Sequence, residues 1–330
     1  MKTLKYLLIS LLLLLGMTPV SALEVAGNLN EFTITNQFIV PEGATIPEVT
    51  FKYQITPNDD APQATIADIS FNQDNQQTLT NGKYIILKES EINFGTFTKA
   101  GEYVYTLQQV QESQEGIDYD TSSYELHVYV VNKDDGTLEI KAITAFKNEE
   151  KQADLTFINT YSKNGQLTIE KQVEGDLADH KKDFTFTIQF FDEGTYTGKI
   201  GEESITFNQG EVKEFKLHHK EQLIFENIPV GTHYQVIEKG VDNGYTPQVQ
   251  LTENGVAYNR VVGQKGIDLT PNSQNNCVGE NENDVLFINS YNSTPITGLN
   301  ENNWPYILLL ALSTLGLVFF GVRKYVYKNH

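Results

Sequence analysis

The string Asp284-Val-Leu-Phe-Ile-Asn289 repeats an earlier one, Asp154-Leu-Thr-Phe-Ile-Asn159, which lies about 130 residues upstream. Both are short runs of apolar, β-branched and aromatic residues, the composition of a strand. The other repeated pairs are residues 101–109 with 231–238, and residues 32–36 with 167–171. Chance similarity would not keep this order, so the sequence predicts two tandem domains of one fold, joined near residues 161–165.

The region around these strings has the same character. Short runs rich in Val, Ile, Thr, Phe and Tyr are separated by Gly, Asn and Asp, and no stretch shows convincing helical periodicity. Many short strands at this spacing favour antiparallel sandwiches of immunoglobulin type. The predicted fold class is therefore all-β, with immunoglobulin-like β-sandwich domains over residues 23–162 and 163–291.

Composition excludes several classes of function. The net charge of −19 disfavours nucleic acid and anionic membrane surfaces as partners. Cys277 is the only cysteine, so no intramolecular disulfide can form; an internal thioester is the alternative to an incidental thiol. The six histidines, including His218 and His219, fall in no recognised metal-ligand spacing, so neither a metal nor a cofactor is expected. The alternative of a surface enzyme requires paired acids or a nucleophile–base pair in a cleft.

The N-terminus predicts export. Lys2 and Lys5 precede an apolar run over residues 6–15, and small residues follow at 20–22. This is the pattern of a signal peptide over residues 1–22. The alternative, a retained membrane anchor, is disfavoured because the apolar run is shorter than the ~20 residues that a span needs.

The C-terminal segment, residues 292–330, has three parts. A pentapeptide occupies residues 294–298, an apolar segment covers 304–322, and a basic tail covers 323–330. The apolar segment is about long enough to cross a bilayer as a helix, and the positive-inside rule keeps the tail in the cytoplasm.

The three parts together resemble a sortase cell-wall sorting signal of the Leu-Pro-x-Thr-Gly type. Thr294 replaces the leading leucine, while Pro295, Thr297 and Gly298 match the pattern. The resemblance implies that a sortase cysteine attacks the Thr297 carbonyl and releases the chain from Gly298 onward. The missing leucine leaves the sortase class open.

In the second repeat, the three equivalent positions hold Lys171, Glu238 and Asn289. Here the chain resembles the major (shaft) pilins of Gram-positive sortase-assembled pili, the streptococcal two-domain, T-antigen-like family with Cna-B-type domains. The strings that carry the resemblance are residues 119–124, 167–171, 184–186, 227–231, 234–238 and 287–289. In that family a first-strand lysine and a last-strand asparagine join spontaneously as an isopeptide bond, helped by a buried glutamate. The resemblance therefore implies a Lys171–Asn289 bond with Glu238 as acid and base.

This chemistry has physical requirements. Burial lowers the pKa of a lysine and raises that of a glutamate, so that the amine becomes nucleophilic and the acid can move protons. Fixing the amine beside the amide makes the reaction unimolecular. Because no outside substrate is turned over, the chain is not expected to be an enzyme. The alternative is three residues that make no contact.

The first repeat departs from this pattern. It holds Asn36, Gln109 and Asn159 at the equivalent positions, and Lys52 on the next strand is the nearest substitute nucleophile. We expect no isopeptide bond there, only hydrogen-bonded buried amides, and a thermally and mechanically weaker domain.

A shaft pilin also needs a surface lysine that attacks the sortase acyl intermediate of another subunit. By resemblance, Lys151 fits this role best and Lys147 is the runner-up. The expected function is the repeating subunit of a surface pilus anchored to the cell wall. The expected partners are a sortase and other copies of the chain, together with ancillary pilins and peptidoglycan. The alternative is a wall-anchored monomeric adhesin or accessory pilin of the same fold.

Overall fold

The structure is a computed structural model, and the residues that it describes are 31–58, 60–75, 78–241, 244–271, 276–293 and 304–328. The side chains of residues 31, 304 and 321–328 are not part of this description. The predicted signal peptide (1–22) and sorting motif (294–298) lie outside the described residues. Both stay predictions.

The first half of the described chain, which we call the first module, is built from strands and one turn of 3₁₀-helix at Gln73–Asn75. Its described strands are β1 (Glu31–Pro41), β2 (Val49–Phe51), β3 (Tyr53–Pro57), β4 (Thr65–Ile66), β5 (Ile69–Phe71), β6 (Lys83–Asn93), β7 (Gly101–Gln109), β8 (Ile117–Asp118), β9 (Ser123–Asn132), β10 (Leu138–Lys147), β11 (Glu150–Gln152) and β12 (Thr156–Tyr161). One sheet has the order β4-β6-β1-β12-β8 and a second has the order β11-β10-β9-β7-β3. Buried side chains from both sheets form one apolar cluster, so the sheets pack face to face.

The second half, which we call the second module, repeats this plan. Its described strands are β13 (Asn164–Glu174), β14 (Phe184–Phe190), β15 (Thr195–Ile200), β16 (Glu203–Asn208), β17 (Lys213–Leu217), β18 (Gln222–Pro229), β19 (His233–Glu238), β20 (Thr246–Glu253), β21 (Val256–Ala257), β22 (Val261–Val262), β23 (Asn276–Cys277) and β24 (Asp284–Ser290). The larger sheet has the order β16-β15-β18-β13-β24-β20-β21, with β22 paired to β20. The opposing sheet has the order β17-β14-β19-β23, and a separate apolar cluster fills the space between them.

Strand β13 shows how the sequence pattern produces these layers. Successive side chains of a strand point to opposite faces, so alternate residues share one face. Leu167, Ile169 and Val173 occupy the buried row of β13, and Lys171 stands in that same row, between Ile169 and Val173. The period-two pattern therefore directs a lysine into an apolar core.

In both modules the first and last strands are parallel neighbours. Strand β1 pairs with β12 so that Asn36 lies opposite Phe157. Strand β13 pairs with β24 so that Lys171 lies opposite Phe287. The registers correspond residue for residue, as two copies of one topology require, and the all-β prediction is confirmed.

The modules meet where the turn after β1 approaches β23. The Gly43 carbonyl accepts hydrogen bonds from the Glu280 N–H and from Asn254 Nδ2, both at 3.1 Å. Gly43 has φ +76°, and a Cβ placed there would lie 2.9 Å from the Gly279 Cα. Only glycine allows this close approach of two backbones without strain.

Helix α1 spans Trp304–Lys328, after the second module. Within the described part of the chain, no helix combines the length and the apolar character needed to cross a membrane. The membrane-spanning segment predicted over residues 304–322 is thus not confirmed.

Candidate functional site

The structure brings Lys171, Glu238 and Asn289 together in the core of the second module. In the β13–β24 pairing Asn289 lies opposite Val173, two residues beyond Lys171, so the lysine and the asparagine share the inward face of one sheet. Glu238 ends β19 in the opposing sheet, where it pairs with Phe186. The three side chains therefore meet across the sandwich.

Their distances are those of direct contact. Lys171 Nζ lies 2.9 Å from Glu238 Oε1, and Asn289 Nδ2 donates a hydrogen bond of 2.7 Å to the same oxygen. The exposed fractions are 0% for Lys171, 1% for Glu238 and 0% for Asn289. Water therefore does not solvate the ion pair.

Burial changes the acid–base chemistry of both charged groups. It lowers the pKa of Lys171 to about 8, although the neighbouring Glu238 opposes this shift. It also raises the pKa of Glu238, against the opposing effects of Lys171 and Asn289. The Phe184 ring centroid lies 4.4 Å from Nζ and supplies much of the apolar surrounding. Both shifts favour the neutral pair, a free amine beside a carboxylic acid.

Among the described residues, Glu238 Oε2 and Asn289 Oδ1 have no hydrogen-bond partner, and Lys171 Nζ has only its ion-pair contact with Glu238 Oε1. Buried polar atoms are usually paired, and a buried ion pair stabilises a fold only when its remaining donors and acceptors are satisfied. Such a cluster is poorly suited to hold a core together by charge alone. It contains an amine, a carboxamide and a proton carrier in contact.

The equivalent site of the first module is an amide pair. Gln109 Nε2 donates to Asn159 Oδ1 at 2.6 Å, and Asn159 Nδ2 donates to Gln109 Oε1 at 3.0 Å. Asn159 Oδ1 also accepts the backbone N–H of Asp120 at 3.0 Å. Asp120 is a partner that the sequence reasoning missed, because nothing in the repeat pairs it with Asn159.

Asn36, the first-module equivalent of Lys171, forms no hydrogen bond with the Gln109–Asn159 pair. Asn36 is fully buried and donates to the Tyr53 hydroxyl at 2.5 Å, while its Oδ1 has no hydrogen-bond partner among the residues that the structure describes. The substitute nucleophile Lys52 is half exposed, and its Nζ lies 2.7 Å from Glu112 at the surface. Among the described residues, this site therefore holds two paired amides and a separate asparagine, with no amine beside them.

The predicted intersubunit lysines lie on one hairpin at the edge of a sheet. Strands β10 and β11 are joined by Asn148 and Glu149, both with positive φ, as in a two-residue hairpin turn. Lys151 lies opposite Phe146 on edge strand β11, and its side chain makes no ion pair within the described part of the chain. The Lys147 Nζ instead lies 5.7 Å from the ring centroid of Tyr124.

Comparisons with known proteins match each module separately. Residues 32–162 match the family described as the Spy0128-like isopeptide containing domain. Residues 165–291 match a family described as a domain of unknown function (DUF7601). The first description names an isopeptide, although the matched region carries Asn36 and Gln109 where a lysine and a glutamate are expected.

Similar proteins come from Streptococcus pyogenes. A pilin from serotype M1 is 24% identical over 325 residues, which is 91% of this chain and 93% of the relative. The pilus tip adhesin Cpa is 34% identical over 107 residues, covering 31% of this chain and 15% of that protein. The crystal structure of the major pilin aligns with 21% identity and a TM-score of 0.39, covering 81% of this chain and 100% of that one.

The family match of the first module and the pilin that aligns over both modules make this chain similar to the class of structural pilins. Within that class, the family match of the first module and the relative that spans both modules support a major pilin of the T-antigen family. The predicted resemblance is confirmed.

Proposed function

We propose that this chain is the repeating subunit of a covalently polymerised surface pilus, braced in its second module by a self-formed Lys171–Asn289 isopeptide bond. The observation that carries the proposal is the buried contact of Lys171, Glu238 and Asn289, with distances of 2.9 and 2.7 Å. On this view the modules are Cna-B-type immunoglobulin-like domains over residues 23–162 and 163–291.

The bond forms by amide exchange. The neutral amine of Lys171 attacks Cγ of Asn289, the C–N bond to Nδ2 breaks, and one ammonia leaves. Glu238 takes a proton from the attacking nitrogen and delivers one to Nδ2, so it ends as it began. Its contact with Nδ2 suits delivery to the leaving group. No cofactor or outside substrate enters this balance.

The location of the bond suits a protein under tension. Strand β13 opens the second module and β24 closes it, and the two are parallel neighbours. A pull on the ends of the module would shear their ladder of hydrogen bonds. A covalent link between the two strands carries that load instead, in a chain whose single cysteine leaves no intramolecular disulfide for the purpose.

Polymerisation and anchoring follow from the ends of the chain. After removal of residues 1–22, the motif at 294–298 presents Thr297 to a sortase, and the released acyl group passes to a lysine of the next subunit. The position of Lys151 on the edge strand β11 favours it over Lys147, since Lys147 lies against Tyr124. Repetition produces an open head-to-tail fibre at the cell surface, anchored to the wall.

The mass of the intact protein tests the internal bond. We would express residues 23–297 and expect a mass lower by one ammonia, restored in full by Lys171→Ala or Glu238→Ala. Lys182→Ala is the matched control, because its Nζ lies 5.8 Å from the same Phe184 ring outside the site. A full mass in the unmodified protein would remove the Lys171–Asn289 assignment.

A monomeric adhesin or accessory pilin of the same fold is the second candidate, and the match to a pilus tip adhesin over 107 residues favours keeping it. Wall extracts separate the two. A shaft subunit produces a ladder of covalent multimers that collapses in Lys151→Ala and persists in Lys147→Ala. A single band in the unmodified strain would indicate the adhesin.

A further inference from the structure

A second cluster of reactive side chains lies where the two modules meet. Glu42 belongs to the turn after β1, whereas His233 and Cys277 face each other in the antiparallel β19–β23 pair. Candidate ligand atoms of all three residues lie within 4.8 Å of one another. One carboxylate, one imidazole and one thiol thus converge from two modules.

The spacing fits a tetrahedral ion. His233 Nε2 lies 3.3 Å from Glu42 Oε2. Nitrogen and oxygen ligands held at about 2.0–2.2 Å from one zinc ion lie roughly 3.3–3.5 Å apart at the tetrahedral angle. This pair is already at the separation that a shared ion imposes, and the thiol completes a mixed oxygen, nitrogen and sulfur set.

His233 is held for ligation by Asp192. The carboxylate oxygen Asp192 Oδ2 lies 3.0 Å from His233 Nδ1 and accepts the His233 backbone N–H at 2.6 Å. Donation from Nδ1 leaves the lone pair on Nε2, which is the nitrogen near Glu42. A carboxylate behind a ligating histidine is the usual outer partner of a zinc site.

Carboxylates dominate the charge around the thiol. Cys277 is 7% exposed, and its backbone N–H donates to Glu253 Oε2 at 3.0 Å. The carboxylates of Glu42, Glu253 and Asp192 lie around this thiol and His233. Within the described part of the chain, no lysine or arginine forms an ion pair with these three carboxylates. A bound metal ion is the largest local charge and would reverse this environment.

A cavity reaches two of the three proposed ligands. A cavity of about 660 Å³ is lined by Glu42, Glu253 and Cys277 among others. Gly82 borders the ligand pair, and a Cβ placed there would lie 3.8 Å from His233 Nε2 and 3.9 Å from Glu42 Oε2. The missing side chain leaves that approach open.

We infer that Glu42, His233 and Cys277 form a binding site for a divalent cation of the zinc class, with Asp192 as a positioning residue and water in the fourth position. Binding releases the thiol proton to solvent. Because Glu42 comes from the first module and the other ligands from the second, the ion ties the modules together. This inference is independent of the isopeptide bond and of polymerisation.

The full chain, purified in mild detergent and stripped with a chelator, would be titrated with Co²⁺ and then competed with Zn²⁺. We expect one equivalent bound, with a thiolate-to-cobalt charge-transfer band that Cys277→Ser abolishes. His233→Ala and Glu42→Gln should each weaken binding at least tenfold, and Asp192→Asn about 10–100-fold. Thermal unfolding without metal identifies variants that remain folded.

His127→Ala is the matched control, because His127 lies 2.6 and 2.8 Å from two carboxylates, Glu102 and Glu125, with no cysteine in contact. It should bind cobalt like the unmodified chain. Absence of a stoichiometric equivalent, or a charge-transfer band that survives Cys277→Ser, would overturn the site. If Glu42→Gln binds cobalt with unchanged affinity, the metal does not link the modules. If His127→Ala binds less cobalt, the binding is non-specific and involves histidine–carboxylate pairs in general.

Discussion

Replacement of Glu238 by glutamine is the sharpest test of the second module. The substitution keeps the size of the side chain and its contact with Asn289 but removes the acid that moves protons. Because Lys171 and Asn289 are already in the core, the variant should fold with the amine and the amide side by side. It should nevertheless keep the full mass, since no group can exchange protons between them.

The structure sets the expected loss of stability. A bond between Lys171 and Asn289 closes a loop of about 120 residues, and a cross-link of that length stabilises a fold by about 5 kcal/mol through the unfolded chain. Loss of the carboxylate also leaves a buried lysine unpaired, which costs roughly 3–5 kcal/mol if its charge is retained. In a module of this size, each kcal/mol of lost stability lowers Tm by about 4 °C. Loss of the cross-link alone should therefore lower Tm by about 20 °C.

Intact mass and differential scanning calorimetry on residues 23–297 measure both effects. Lys171→Met separates the two contributions, because it also lacks the bond but buries no unpaired amine. It should unfold between the unmodified protein and Glu238→Gln. The reasoning fails if Glu238→Gln still loses ammonia, or if it loses the bond and its Tm falls by less than about 5 °C.

Three further outcomes follow from the same geometry. The variant Asn289→Ala cannot form the bond, so Lys171 keeps its amine. The pKa of this amine is about 8 in the folded state and 10.5 in the unfolded state. Between pH 8 and 10.5 the folded state therefore binds fewer protons than the unfolded state, and Tm should rise as the pH increases through this range. Asn36→Lys with Gln109→Glu should install a second bond, measured as a second ammonia lost, because Asn36 occupies the register position of Lys171. Gly43→Ala should lower the free energy of unfolding by roughly 1–3 kcal/mol, because its Cβ meets backbone 2.9 Å away at positive φ; urea unfolding measures it.

Each of these has a control. The pH dependence should vanish when Lys171→Met is added to Asn289→Ala, and its persistence would assign it to another group. An unchanged mass in a folded Asn36→Lys, Gln109→Glu protein would show that the Tyr53 contact keeps position 36 out of reach. Gly136→Ala, with φ +80° and nothing within 4 Å, carries the backbone strain alone, so an equal effect at Gly43 and Gly136 would exclude the crowding argument.

Much of the fold was predictable because its cause is local. Alternation over β13 places every second residue on one face, and the repeated strings at Asn159 and Asn289 mark the closing strand of each module. The separation into two modules follows, since each set of strands buries its own apolar face. The contact of Asn36 with Tyr53 was not predictable, because the pairing of neighbouring amides depends on side-chain packing and not on strand order.

The cluster of Glu42, His233 and Cys277 shows most clearly what could not be predicted from the sequence. Glu42 and His233 are separated by 191 positions, and no spacing rule joins residues so far apart. They meet only because the turn after β1 packs against β23 through Gly43. Cys277 read alone is an ordinary thiol, and its carboxylate surroundings exist only in the folded chain.

Residue types and their order were therefore enough for the all-β class and for the repeat register that aligns Lys171, Glu238 and Asn289, because strand periodicity and repeat register are properties of the chain itself. The roles expected of the three residues came from the resemblance to pilins. Folding in three dimensions was needed for the distance of 2.9 Å between amine and acid, for the shifted pKa values, and for the cluster at the junction. These depend on which faces close against each other and on how completely they exclude water. No local pattern encodes either property.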